Sequence, residues 1–238
     1  FPKDCRVIEG LMHAINRDAV YPCPKAEAER IIALGEELLQ RSTDTRQREN
    51  AVQCLCYTYD NIDKEKALYY ADMSGTFHIT REDLRTTILD GEEGVKACQS
   101  YMMSLIHTAA MTASSMISKT NFSHQEAIEA YTFAIDILKR LFSDDNVGFY
   151  AFDISYYYRH IALEYAELKD VENTLKALEE SCRYAIIEAN LKDMNYTAPM
   201  VNRMKHTKAN TSKNYKGNAC NLRLKALEDN RFDLVRNE

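Results

Sequence analysis

The stretch from Ile161 to Ile186, IALEYAELKDVENTLKALEESCRYAI, decides the fold. Small and apolar side chains recur at three- and four-residue steps on both sides of Leu168-Lys169-Asp170, the period of an α-helix rather than of a strand. The interruption has room only for a reversal of direction. The sequence therefore predicts one helix from about Phe149 to Leu168 and another from Asp170 to about Asn190, folded back as a tight hairpin.

The same period extends outward. From Pro24 to Gln40 the residues Ala28, Ile31, Ile32, Gly35, Leu38 and Leu39 mark an amphipathic helix. Helices are expected from Thr43 to Tyr59 and from Asp63 to Met73. The turn Asn61-Ile62-Asp63 makes these an antiparallel pair, with Asp63 as N-cap. Thr80 caps a short helix to Leu89, and a long helix follows from about Glu92 to Ser118. Ser123-His124-Gln125-Glu126 is a capping box opening a helix to about Phe142. Asp144-Asp145-Asn146-Val147-Gly148 is the clearest break. Beyond Asn190 the pattern weakens: Pro199 marks a short helix start, Lys205 to Gly217 a polar loop, and Asn218 to Asp229 a last short helix.

Composition agrees. Only 7 Gly and 4 Pro serve 238 residues, too few for the turns of a sandwich, a barrel or a doubly wound sheet. Mean hydropathy is −0.45, and no apolar run approaches the roughly 18 residues that cross a bilayer. The fold class expected is all-α, one domain over residues 1–238, with residues 190–238 as a basic capping segment.

Charge is uneven. The formal charge is −6, yet from Met194 through Leu227 there is no Asp or Glu, while Arg203, Lys205, Lys208, Lys213, Lys216, Arg223 and Lys225 supply seven positive charges. The rest then carries −6 − 7 = −13. Such a strip either packs on the acidic body or a second subunit, or it contacts phosphate, and the first is the commoner arrangement. Seven cysteines, odd in number and irregularly spaced, suit a reducing cytoplasm. The sequons at Asn121, Asn195 and Asn210 are then chance matches. The chain opens Phe1-Pro2-Lys3, which raises the expectation of an upstream segment.

Four helices share one spacing, i, i+4, i+7: Ala28, Ile32, Gly35; Ala67, Ala71, Ser74; Ala127, Tyr131, Ala134; and Thr174, Leu178, Ser181. The three side chains lie on one face, and small first and third residues let a neighbouring helix approach closely. With Tyr158, Ile161, Ala162, Tyr165 and Asp170, the last set resembles a tetratricopeptide repeat, a helix pair that stacks into a right-handed superhelix. The hairpin from about Arg48 to Ser74 resembles a degenerate copy, with Thr58 at an aromatic position. Positions 28, 67, 127 and 174 are 39, 60 and 47 residues apart, so the expected array is irregular.

Over its whole length the chain resembles the C-terminal regions of clostridial-type Xre/Cro-family helix-turn-helix transcriptional regulators. The resemblance is carried by AVQCLCYTYDNIDKEKALYYADM (Ala51 to Met73), ILDGEEGVKACQ (Ile88 to Gln99), the opening stretch, KNYKGN (Lys213 to Asn218) and LKALEDNRFDLVRN (Leu224 to Asn237). It implies a cytoplasmic regulatory and dimerisation region that binds a peptide or protein effector. It also implies a homodimer, and DNA contact only through an N-terminal domain not in this chain. The alternative is a constitutive protein-interaction scaffold.

Chemistry offers less. The histidines His13, His78, His107, His124, His160 and His206 are scattered, with no metal-ligand spacing and no Cys-x-x-Cys, so no metal and no cofactor is expected. Cys54 and Cys56 point to opposite sides of a helix, one to core and one to groove. His160 and Glu164, one turn apart, read as a helix-face pair more readily than an acid–base couple. No phosphate loop or nucleophile elbow is present, and a non-catalytic role is expected. In tetratricopeptide hairpins the first helix lines the concave face. Projected here, that register names Val52, Cys56, Tyr59 and Asp60, then Thr112, Met116 and Lys119, then Tyr156, Arg159, Leu163 and Glu167 as the effector groove. Lys119 and Arg159 are the cations suited to a peptide carboxylate.

Overall fold

The computed structural model describes residues 4–18, 23–75, 80–142, 146–207 and 218–236. The chain is all-α, with one two-residue strand pair among the described residues. Its packing divides into two compact units, residues 1–80 and 81–238, where the sequence draws no boundary. Among the described residues no helix is long and apolar enough to cross a membrane.

The first unit holds α1 (Cys5–Asp18), α2 (Lys25–Arg41), α3 (Thr45–Tyr59) and α4 (Lys64–Ala71). Consecutive helices pack on one another, and α1 also packs on α3. Asp44 caps α3 by accepting from the Gln47 amide at 3.0 Å, and Asp63 caps α4 by accepting from Lys66 at 3.2 Å. Helix α1 has no counterpart in the sequence reading, although Ile8, Met12 and Ile15 carry the i, i+4, i+7 spacing. These side chains pack against Ile31, Leu38, Ala51 and Cys54. Between α2 and α3, Gly35 leaves Leu55 the space it fills: a Cβ on Gly35 would stand 2.8 Å from Leu55 Cγ. Helix α4 departs from its expected pattern. It ends at Ala71, so Ala67 is buried but Ala71 and Ser74 are exposed.

The second unit holds α5 (Arg81–Ile88), α6 (Gly91–Ile117), α7 (His124–Phe142), a 3₁₀ turn (Gly148–Tyr150), α8 (Ala151–Glu167), α9 (Val171–Ala189), α10 (Ala219–Ala226) and a 3₁₀ turn (Asn230–Val235). Helices α6, α7, α8 and α9 pack in succession. The capping box forms: the Glu126 amide donates to Ser123 Oγ at 3.3 Å, and the Ser123 amide donates to Glu126 Oε2 at 2.8 Å. Asp170 caps α9 through the Asn173 amide at 3.1 Å. Here the small positions hold, with Ala127, Tyr131, Ala134, Thr174 and Ser181 all buried. Gly148 takes a φ of +56°, and Tyr196 occupies the place a Cβ would need, which explains glycine at the break.

Pro199 does not start a helix. Residues 198–203 form successive turns, closed by β1 (Met194–Asn195) pairing antiparallel with β2 (Lys205–His206). Gln99 of α6 straps them down, donating to the Pro199 carbonyl at 2.9 Å and accepting from the Arg203 amide at 2.8 Å. The C-terminal segment packs α10 against α9 and the 3₁₀ turn Asn230–Val235 against α8, with Phe232 and Val235 buried. Residues 208–217 lie outside the described residues. So do Phe1, Pro2, Lys3, His78, Asp144 and Asp145, as well as Lys208, Asn210, Lys213 and Lys216 within that loop.

Candidate functional site

The expected groove residues fall in both units. In the first, Tyr59 is buried and committed: its hydroxyl donates to Glu36 Oε1 at 3.3 Å and its ring stacks on Tyr70 at 5.6 Å. Tyr70 donates to the same oxygen at 3.0 Å, and burial together with that carboxylate pushes its phenol up to about 12. Cys56 is half-buried with its thiol donating to the Ala67 carbonyl, while Cys54 is buried, as their opposite directions require. Asp60 is exposed and pairs with Lys64. Val52 borders a cleft shared with Arg48, Glu49 and Met73, but only 7% of its surface is exposed.

In the second unit Thr112 and Met116, near the C-terminal end of α6, and Lys119 in the turn after it are exposed. Leu163, 2% exposed, is a core side chain and not a groove contact, because its position on α8 faces the inside of the unit. The other three α8 residues come together with the C-terminal segment. Arg231 approaches Glu167 at 3.9 Å and pairs with Asp229 at 2.7 Å. The Arg223 guanidinium lies 6.0 Å from the Tyr156 ring and 5.9 Å from Phe152.

At the centre is His160, a residue the sequence reading assigned to a pair with Glu164. That pair does not form: Glu164 instead takes His124, at 2.7 Å. His160 stands between the rings of Tyr131 and Tyr156, with centroids at 5.2 and 4.3 Å. Arg159 Nη1 donates to His160 Nε2 at 3.2 Å, which requires the neutral ring. Burial first, then Arg159, Arg223 and Arg231, push this imidazole down to about 4. Arg159 Nε is buried and has no hydrogen-bond acceptor. The result is an aromatic nest holding a neutral imidazole beside arginines, one with a donor to spare. Such a nest suits a carboxylate.

Within the basic strip the two described arginines are engaged. Arg203 pairs with Glu92 at 2.9 Å. Arg223 is buried and donates through Nε to Ser155 Oγ at 2.9 Å. Lys205 and Lys225 are exposed, and the remaining three lysines lie outside the described residues. Arg203 thus meets an acid of α6, and Arg223 a serine of α8.

The sequence reading missed a groove between α6 and α7, about 600 Å³ in volume, lined by Met102, Ile106, Phe133, Ile137 and Arg140 with Met200 from the turn. Phe133 and Met200 are each 53% exposed. Its signal is an apolar residue, Phe133, on the far side of a helix whose core stripe is already complete. Among the described residues no three His, Cys, Asp or Glu side chains gather as a metal site.

The fold and this site define an all-α protein with an arginine and aromatic nest on α8, beside its C-terminal segment. Compared with known proteins, the chain matches no family model, no curated protein and no solved structure.

Proposed function

We propose that the chain is the non-catalytic sensor and dimerisation region of a cytoplasmic DNA-binding transcriptional regulator, with a peptide or protein as effector. The observation that carries this reading is the nest on α8, where Arg159 keeps a buried Nε without an acceptor beside Tyr156 and the neutral His160. A peptide carboxylate supplies the missing acceptor, and the tyrosine rings supply apolar contact with polar tips. Three of the α8 positions projected for the effector, Tyr156, Arg159 and Glu167, lie here. The sequence resemblance to helix-turn-helix regulators supplies the output: an effector that binds one arrangement of the helices better than another shifts the balance between DNA-binding states.

The test is an operator-binding assay on the full-length gene product, with and without the cell's secreted peptides. DNA binding that shifts with peptide in the wild type, and at least tenfold less in Arg159→Ala, is the expected result. A full-length product that ignores DNA in every condition overturns the regulator reading and leaves the interaction scaffold.

A further inference from the structure

We infer that the groove between α6 and α7 is where a second copy of this chain docks, its α7 antiparallel to the first across a two-fold axis beside Phe133. The inference specifies the dimerising part of the function proposed above and is independent of any effector.

The groove asks for a particular kind of occupant. Its lining is apolar but for Arg140, so it offers almost nothing to hydrogen-bond the backbone of an extended peptide. A helix satisfies its own backbone and brings only side chains. At about 600 Å³ the groove is large enough to take several of them.

Helix α7 itself carries the matching surface. Glu129, Phe133, Ile137 and Arg140 follow one another by four, four and three residues and so share one face. Glu129, Phe133 and Arg140 are exposed and Ile137 is partly so. The acid is at one end, the base is at the other, and the aromatic ring lies between. Glu129 and Arg140 are about 16 Å apart along the axis, and among the described residues neither has an ion-pair partner. Turning a second α7 end for end sets each Arg140 against the partner's Glu129 and brings the two Phe133 rings together near the axis, each against the other copy's groove. A face that complements itself in this way is what an isologous interface requires. Asp136 is exposed on that side near the axis, where two copies repel and weaken the pair.

Sedimentation of the whole chain tests this directly. A dimer that grows with concentration between about 1 and 100 µM is expected. Phe133→Asp and Glu129→Arg should each weaken it at least tenfold, with helical circular dichroism unchanged because both side chains are exposed. Glu129→Arg combined with Arg140→Glu should restore it. A wild type that stays monomeric to about 100 µM overturns the inference, as does a dimer indifferent to Phe133→Asp or a double exchange that fails to rescue. None of these results touches the DNA assay, so the two readings fail separately.

Discussion

The two units solve the same packing problem with different chemistry. In the first, α2 meets α3 at Gly35, where the missing side chain is replaced by Leu55, 0% exposed. In the second, α8 meets α9 at two buried serines. Ser155 Oγ donates to the Ser181 carbonyl and Ser181 Oγ to the Ser155 carbonyl, each at 2.8 Å. A glycine contact is satisfied by shape alone, whereas a buried serine contact has to satisfy two hydroxyls as well. The second arrangement therefore links helix packing to a polar network that reaches Arg223 and the nest beyond it. The small position of a helical hairpin sets the spacing in both units. Only in the second does it also carry a functional group.

The strongest way to break this comparison is to remove the shape partner in the first unit. Leu55→Ala should cost about 2–5 kcal/mol in chemical unfolding, because a fully buried leucine leaves a cavity under Gly35. Adding Gly35→Ala should recover part of that loss, since its Cβ then has room, whereas Gly35→Ala alone is destabilising by overpacking. A double variant no better than the single would show that Gly35 serves something other than Leu55. Amide exchange should accelerate in α2, α3 and α4 and leave α8 and α9 protected if the units open independently.

The polar network of the second unit predicts a pH response. His160 is neutral in the folded chain, held near 4 against an ordinary 6.5. The unfolded chain therefore binds the extra proton first. The stability from burying the neutral ring is complete above about pH 6.5 and is lost as pH falls toward 4, on the order of 2–3 kcal/mol. Urea unfolding at pH 7 and pH 4.5 should show that loss in the wild type and a smaller one in His160→Gln. Equal losses in the two would place the acid sensitivity in the carboxylates instead.

Legibility in the sequence followed the range of the interaction. Caps and periods act within four residues, and so the starts of α4, α7 and α9 fall within about two residues of those that Asp63, Ser123 and Asp170 mark in the sequence. Helix α1 was readable by the same rule from Ile8, Met12 and Ile15. What depends on long-range contact was not. Gln99 finds the Pro199 turn a hundred residues away, and Glu164 takes His124 from another helix rather than His160 from its own. The candidate site shows the same division. A helical register names Tyr156 and Arg159 but also Leu163, buried on the side it cannot distinguish; Arg223 stands out in the sequence only as part of a basic strip, and nothing there joins it or Arg231 to α8.

Smaller effects test whether the serine contact differs from the glycine contact at all. Ser155→Ala removes the acceptor of Arg223 Nε inside the protein and should cost about 2 kcal/mol, as hydrogen bonds to charged groups do. Ser181→Ala removes only a neutral bond to a carbonyl, and alanine is the better helix former, so its cost should be nearer 0.5–1 kcal/mol. The informative quantity is the coupling between them. Each hydroxyl donates to a backbone carbonyl that alanine keeps, so only the Oγ–Oγ contact at 3.5 Å couples the two, and a double-mutant cycle in urea should give a coupling below about 0.5 kcal/mol. Single variants that cost nothing would mean that α8 and α9 are held, like α2 and α3, by size alone. In that case the polar link from the hairpin to Arg223 has no part in positioning the nest.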